Sequence, residues 1–265
     1  MEKLYINDVL FSHSFSSSWY NKPTNFEWVR TNDEEHLFFT DDTVFDIEHF
    51  NNKKKFAWLV ESPEFKQNSY DFIKYNHNLF DKIFTFDKNL LEISDKFVFT
   101  PIGGCWIDES DRKIHIKNKL VSFIMSSKML TSGHRLRHEV NKKLTNVDKY
   151  GFENPIQNKI DGLRDYMFSI VIENCSKDYY FTEKIVDCFI SGTIPIYWGC
   201  PSIGDFFDTN GFFTFNTIDE LMNILSSIDE ETYKSKIEIV KKNFESSKKY
   251  VIADDLIHES YKHYS

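Results

Sequence analysis

The stretch SIVIENCSKDYYFTEKIVDCFISGTIPIYWG, residues 169–199, decides the fold. An apolar run ends in Glu173–Asn174, a polar and aromatic loop follows, and an amphipathic run starts at Thr182-Glu183-Lys184. Gly192 closes that run, and a second apolar segment, TIPIYWG (193–199), begins at once. Strand, loop, helix, glycine and strand in this order form the crossover unit of a parallel sheet. Thr182 is placed to cap the helix, since its hydroxyl can accept a bond from a first-turn amide. The remaining first-turn amides and the positive end of the helix dipole attract an anion. Lys184 in that turn opposes the dipole unless an anion such as a diphosphate lies beside it. The alternative reading of Glu183–Lys184 is a solvated ion pair at a helix start.

The same alternation extends to both sides. Before it, the strand-like runs are 3–10, 36–40, 55–61, 82–86 and 97–102, with helical patterns over 41–52, 68–80 and 87–94. After the turn signal Pro101–Gly103–Gly104 comes a charged stretch, 108–119. Strand-like 121–125, helical 134–144, helical 160–166 and strand-like 169–174 then lead into the central unit. A strand over 212–215 and helices over 217–228 and 231–250 complete the pattern. The expected organisation is an α/β domain over 1–107, a link over 108–119, a second α/β domain over 120–250, and a tail over 251–265 packing back on the first. Such sheets bind ligands beyond the carboxyl ends of their strands.

Composition narrows the function. The 265 residues carry a formal net charge of −9, which excludes phosphate-backbone binding to nucleic acid as the main activity. No apolar run reaches the roughly 18–20 residues that span a bilayer, and residues 1–20 lack a signal-peptide core. The expectation is a soluble cytoplasmic protein without a transmembrane segment. Peripheral membrane association has no support in the pattern, and the oligomeric state is not legible. Cys105, Cys175, Cys188 and Cys200 form no CxxC pair and read as buried thiols outside any disulfide.

The central stretch resembles glycosyltransferase family 10, the α-1,3/4-fucosyltransferases, and their bacterial members in particular. The family's F-E-N strand end, Y-V-T-E-K helix start and G/H-T-I/V-P-I/V strand are matched by IEN (172–174), YFTEK (180–184) and GTIPIYWG (192–199). Upstream, KIDGLRDYMFSIVIEN matches the family's K-I-x-x-L-x-x-Y-K-F-x-L-x-F-E-N. In the first half, Glu61-Ser62-Pro63 matches a family tripeptide after a strand of the acceptor domain. Arg137, with Val140 and Leu144 at +3 and +7, matches a third pattern.

The resemblance implies a GT-B-type α/β fold, two Rossmann-like domains whose parallel sheets face across a cleft. It implies an inverting enzyme, α-1,3-fucosyltransferase-like, moving fucose from GDP-fucose to a hydroxyl of a glycan acceptor. Glu61 would be the base that takes the acceptor proton. Its bland reading is a turn carboxylate before Pro63. Arg137 and Lys184 would neutralise the diphosphate; Arg135 is the alternative to Arg137. Asn174 and Glu183 would bond ribose or sugar hydroxyls, Tyr180 would contact the nucleotide, and Glu173 would stabilise positive charge on the sugar ring. No obligatory metal or other cofactor is implied. Two rival readings are the same fold with another nucleotide sugar, and a silent glycan- or nucleotide-binding protein.

Other features read as structural. His134 and His138, one turn apart beside Glu139, lack the HExxH order and read as a solvated helix face rather than a metal site. Asp41–Asp42 reads as a helix start and Asp108–Asp111 as part of the link. Gly103–Gly104 is not a dinucleotide-binding GxGxxG motif. Of Trp19, Trp28, Trp58 and Trp106, most are expected in the core, although such rings also stack on sugars.

Overall fold

Among the residues described by the computed structural model (1–11, 14–18, 21–31, 33–152 and 154–264), eleven strands form two sheets, and every strand pair in them is parallel. Trp19 lies outside the described residues. The chain divides into two units, residues 1–104 with 178–180 and 252–265, and residues 105–177 with 181–251.

The first unit holds β1 (Glu2–Asn7), β2 (Phe26–Val29), β3 (His36–Thr40), β4 (Lys54–Trp58), β5 (Lys82–Thr85) and β6 (Phe97–Phe99). Their order in the sheet is β2-β1-β3-β4-β5-β6. Helix α1 (Pro63–Asn76) follows β4, and the single turn α2 (Lys88–Leu91) follows β5. The strands are covered on both faces, so HLFFT is apolar almost throughout rather than alternating. Phe38 of β3 stacks on Phe56 of β4, ring centres 5.0 Å apart, and Phe56 lies 6.2 Å from Phe84 of β5. Trp28 and Trp58 are buried; Trp106 of the other unit is 47% exposed. The helical pattern over 41–52 forms a 3₁₀ helix, Asp41–His49, which begins with Asp41 at φ +29°.

The second unit contains β7 (Lys119–Met125), α3 (Ser132–Lys143), β8 (Asp148–Gly151), β9 (Tyr166–Ile172), α4 (Glu183–Ile190), β10 (Ile194–Trp198) and β11 (Phe213–Thr214). Helices α5 (Ile218–Ser227), α6 (Glu230–Ser235) and α7 (Ile237–Ser247) follow. The sheet order is β11-β10-β9-β7-β8, the same winding as in the first unit with the chain reversing direction between β7 and β9. In this topology the carboxyl ends of those two strands form the ligand crevice of the sheet.

Residues 108–119 lie within the second unit. The Lys117 ammonium donates there to the carbonyls of Leu163, Arg164 and Ser191 and to Thr193 Oγ1. The segment 160–166 is not a helix. Only one 3₁₀ turn, Lys159–Gly162, forms before β9 begins at Tyr166. The expected helix over 231–250 is broken at Lys236, where α6 stops and α7 starts. Finally α8 (Ala253–Tyr261) returns to the first unit, placing Ala253, Ile257 and Tyr261 in one core with Phe26, Trp28, Phe38 and Phe56. Its buried Asp254 accepts from Trp28 Nε1 at 2.7 Å and from Ser17 Oγ at 2.7 Å.

Candidate active site

The densest polar cluster lies where β9 ends, at the topological switch of the second sheet. Glu173 is wholly buried. Its Oε1 accepts from the Thr182 amide at 3.0 Å, its Oε2 accepts from Thr182 Oγ1 at 2.7 Å, and Lys184 Nζ lies 3.5 Å from Oε2. Gly199 packs against it, since a Cβ there would come within 2.5 Å of Glu173 Cγ. The anion expected at the start of α4 is therefore supplied in part by the protein itself. Glu173 faces the helix start rather than open space. The Thr182 hydroxyl and the Lys184 ammonium are its partners at Oε2.

Thr182 caps α4 as expected, its hydroxyl accepting from the Lys184 amide. The Lys184 side chain is 23% exposed, bonded to Thr182 Oγ1 at 2.9 Å and 3.4 Å from Glu183 Oε1. Two carboxylates thus offset the unfavourable dipole without any ligand. Two further partners escaped the sequence pattern. Lys159 Nζ lies 2.7 Å from Asp187 Oδ2 and 3.5 Å from Glu183 Oε1, and Asp187 Oδ1 accepts from the Trp106 amide at 2.8 Å. Charges of alternating sign therefore run Asp187, Lys159, Glu183, Lys184, Glu173. Burial raises the Glu183 carboxyl, but Lys184 and Lys159 outweigh it and hold it at about 2. Burial raises Asp187 above its ordinary range against the pull of Lys159. The signal for Lys159 was the KI of the upstream motif; nothing local marks Asp187.

Helix α3 closes the other side. Gly133 donates its amide to the Asn174 carbonyl at 2.9 Å, and a Cβ on Gly133 would come within 1.8 Å of the Glu173 carbonyl oxygen. Arg137 is buried: Nε donates to the Ile172 carbonyl at 2.9 Å and Nη2 to Asn174 Oδ1 at 2.9 Å. Its guanidinium thus holds the strand end and orients Asn174, which is half-buried. Arg135 is exposed. His134 departs from the solvated face expected of it. It is buried, with Nδ1 2.7 Å from Thr131 Oγ1. Burial, then the charges of Arg137, Lys128, Lys184 and His138, lower it to about 4. Arg137 and His138 of α3, Lys184 of α4 and Lys128 of the β7–α3 loop thus all disfavour a charge on His134. His138, half-buried, meets Phe152 with ring centres 5.6 Å apart. Among the described residues no group of three or more His, Cys, Asp or Glu side chains converges as a metal site.

Glu61 belongs to the first unit, half-buried just past β4 and followed by Ser62 and the start of α1 at Pro63. Its amide donates to the Asp41 carboxyl and its carbonyl accepts from Tyr70 Oη at 2.9 Å. Tyr180 is also counted with the first unit. It is fully buried, its ring centre 5.0 Å from that of Phe86. The ring expected to touch a nucleotide thus packs into a protein core. Cys105, Cys175, Cys188 and Cys200 are all buried and none is disulfide-bonded. No helix among the described residues is long and apolar enough to cross a membrane.

Known proteins resemble this chain in sequence and in fold. Residues 114–253, just over half of the 265, match the profile of the C-terminal part of glycosyltransferase family 10 (fucosyltransferase). A stretch of 73 residues is 38% identical to the alpha-(1,3)-fucosyltransferase FucT of Helicobacter pylori, covering 26% of this chain and 15% of that protein. In fold, 99% of the chain superposes on 88% of a solved α1,3-fucosyltransferase at TM-score 0.59 and 19% identity. A solved α1,3-fucosyltransferase with GDP-fucose gives TM-score 0.60 at 18% identity, over 89% of this chain and 81% of that one. The GT-B-type architecture of two parallel-sheet α/β units is thereby common to all three. By the profile and by the β9–α4 junction, the chain belongs to glycosyltransferase family 10.

Proposed function

We propose that this chain transfers fucose from GDP-fucose to a hydroxyl of a glycan acceptor, with inversion at the anomeric carbon. The observation that carries the proposal is the junction at the end of β9. Arg137 fixes Asn174, while Lys184, backed by Glu173, stands at the start of α4. Lys184, Lys128 and the charge of Arg137 neutralise the diphosphate, which stabilises GDP as it leaves. Glu183, kept ionised by Lys184 and Lys159, accepts bonds from ribose or sugar hydroxyls, and Asn174 contributes its amide. Arg137 and Glu173 act as positioning groups. Tyr180 supports the loop between β9 and α4 from the protein core rather than meeting the nucleotide.

In the chemical step, the acceptor oxygen attacks the anomeric carbon as the bond to the phosphate oxygen breaks. Glu61 takes the acceptor proton. A single displacement inverts the centre, through a transition state with positive charge on the sugar ring. The cations at the junction neutralise the diphosphate, so no metal is required.

Calorimetry with GDP tests the donor site. Lys184→Ala is expected to weaken GDP binding at least tenfold, roughly 1.4 kcal/mol. Unchanged affinity would overturn the reading. Glu61→Gln is expected to lower transfer on the order of a hundredfold while GDP affinity stays as in the wild type, and retained turnover would remove the base from Glu61. A donor other than GDP-fucose, or binding without turnover, would favour the two rival readings.

A further inference from the structure

Strands β3 and β4 are neighbours, with Thr40 in register with Trp58, so the residues leaving both strands lie side by side at the carboxyl edge of the sheet. Asp41 leaves β3 and Glu61 leaves β4. We propose that Asp41 is the positioning residue of Glu61: its buried carboxyl holds the peptide of the base and so fixes where the Glu61 carboxylate points. This rests on the reading of Glu61 as the base.

Three observations carry it. First, the Asp41 side chain is completely buried, and its Oδ1 accepts from the amides of Val60 at 3.2 Å and Glu61 at 3.3 Å, with Oδ2 3.4 Å from the same Glu61 amide. A carboxylate serving only as a helix start would turn to its own helix; this one turns to the exit of the next strand. Second, the Glu61 carbonyl accepts from Tyr70 Oη of α1, so the peptide groups on both sides of the Glu61 Cα are held, one through its N–H and the next through its C=O. Third, Asp41 has φ +29°, a left-handed backbone rarely adopted by a residue with a side chain, and such strain persists where the surroundings enforce it.

The charged groups facing Asp41 are Glu61 and Lys66, and the Lys66 ammonium is itself engaged by Asp42. Burial, and then the neighbouring charge of Glu61, raise the Asp41 carboxyl well above the usual range. Oδ1 takes the amides of both Val60 and Glu61. An asparagine, which keeps the shape and an accepting oxygen, should replace it; an alanine should not.

The experiment measures kcat for GDP-fucose hydrolysis, with water as acceptor, in Asp41→Ala, Asp41→Asn, Glu61→Gln and the double variant Asp41→Ala/Glu61→Gln. GDP affinity is measured by calorimetry on each. Asp41→Ala should lower kcat at least tenfold with GDP affinity unchanged, Asp41→Asn should stay within threefold of wild type, and Asp41→Ala should cost less than twofold more once Glu61 is Gln. If circular dichroism shows Asp41→Ala unfolded, Tyr70→Phe, which releases the peptide on the other side of the Glu61 Cα, should lower kcat severalfold. An undiminished kcat in Asp41→Ala or Tyr70→Phe overturns the proposal, as does an Asp41→Asn as impaired as Asp41→Ala. Fully additive losses in the double variant overturn it alone, leaving Glu61 as the base. Wild-type kcat in Glu61→Gln overturns the base and the proposal together.

Discussion

Substituting Gly133 by Ala probes the close contact on which the candidate donor site is built. Gly133 is the second residue of α3, and its amide bonds the Asn174 carbonyl at 2.9 Å. An added Cβ would lie 1.8 Å from the Glu173 carbonyl oxygen and 2.8 Å from the Asn174 carbonyl carbon. Both neighbours are backbone, so no side chain can swing aside. Restoring even 3.0 Å to that oxygen moves the helix and strand end apart by about 1.2 Å, which lengthens the Gly133–Asn174 bond beyond hydrogen-bonding range. The lost bond costs about 1 kcal/mol, and the buried carbonyl left without its donor about 1–3 more. A loss of about 3 kcal/mol lowers the melting temperature of the second unit by roughly 6–12 °C. Arg137, on the same helix, is drawn off Asn174 as well, so GDP affinity should fall at least tenfold. Gly204→Ala is the control, since its Cβ would meet only the Thr209 methyl, at 3.3 Å. Thermal melting and calorimetry read both variants. A Gly133→Ala protein that melts and binds GDP like the Gly204→Ala protein would refute the reasoning.

Three other outcomes are expected. Glu183 is held at about 2 against an ordinary 4.5, so its ionisation stabilises the fold at neutral pH by about 3 kcal/mol. Because the folded value is the lower one, that contribution is complete above about 4.5 and is lost as pH falls towards 2. The stability gap between wild type and Glu183→Gln, measured by urea denaturation, should narrow as pH drops below about 5; a constant gap would contradict it. Tyr261 is fully buried against Phe38 and Phe56, with its hydroxyl bonded to His36. Tyr261→Ala should cost about 3–5 kcal/mol, seen as a lower denaturation midpoint. Transfer should survive exhaustive chelation, as assayed by GDP release, and strict dependence on a divalent ion would contradict neutralisation by Lys184, Lys128 and Arg137.

The parts of the fold that the sequence made legible are those where one strand or helix dominates its own pattern. SIVIEN is apolar because β9 lies between neighbours in the sheet, and Thr182 and Gly192 mark the two ends of α4. Two edge strands, β2 and β8, were missed. β2 has four residues and β8 reads DKYG, too short and too polar to show a period. The 160–166 segment carries helical spacing, but it forms only the 3₁₀ turn Lys159–Gly162 before β9 begins at Tyr166. In the site, residue types were legible and their partners were not. Arg137 was marked for the diphosphate and Glu173 for charge on the sugar ring, but their long-range bonds to Ile172, Asn174 and Thr182 carry no sequence signal. Asp41 carries the same lesson: nothing in FTDDTVF distinguishes the buried aspartate from its exposed neighbour.

The central claim is that this chain uses GDP-fucose as donor. Incubating the wild-type protein with a panel of nucleotide sugars and measuring release of the free nucleotide tests it without knowledge of the acceptor. The account predicts GDP release from GDP-fucose well above that from every other donor, and a fall on the order of a hundredfold in Glu61→Gln. Release from a different nucleotide sugar, or from none while GDP still binds, would contradict it.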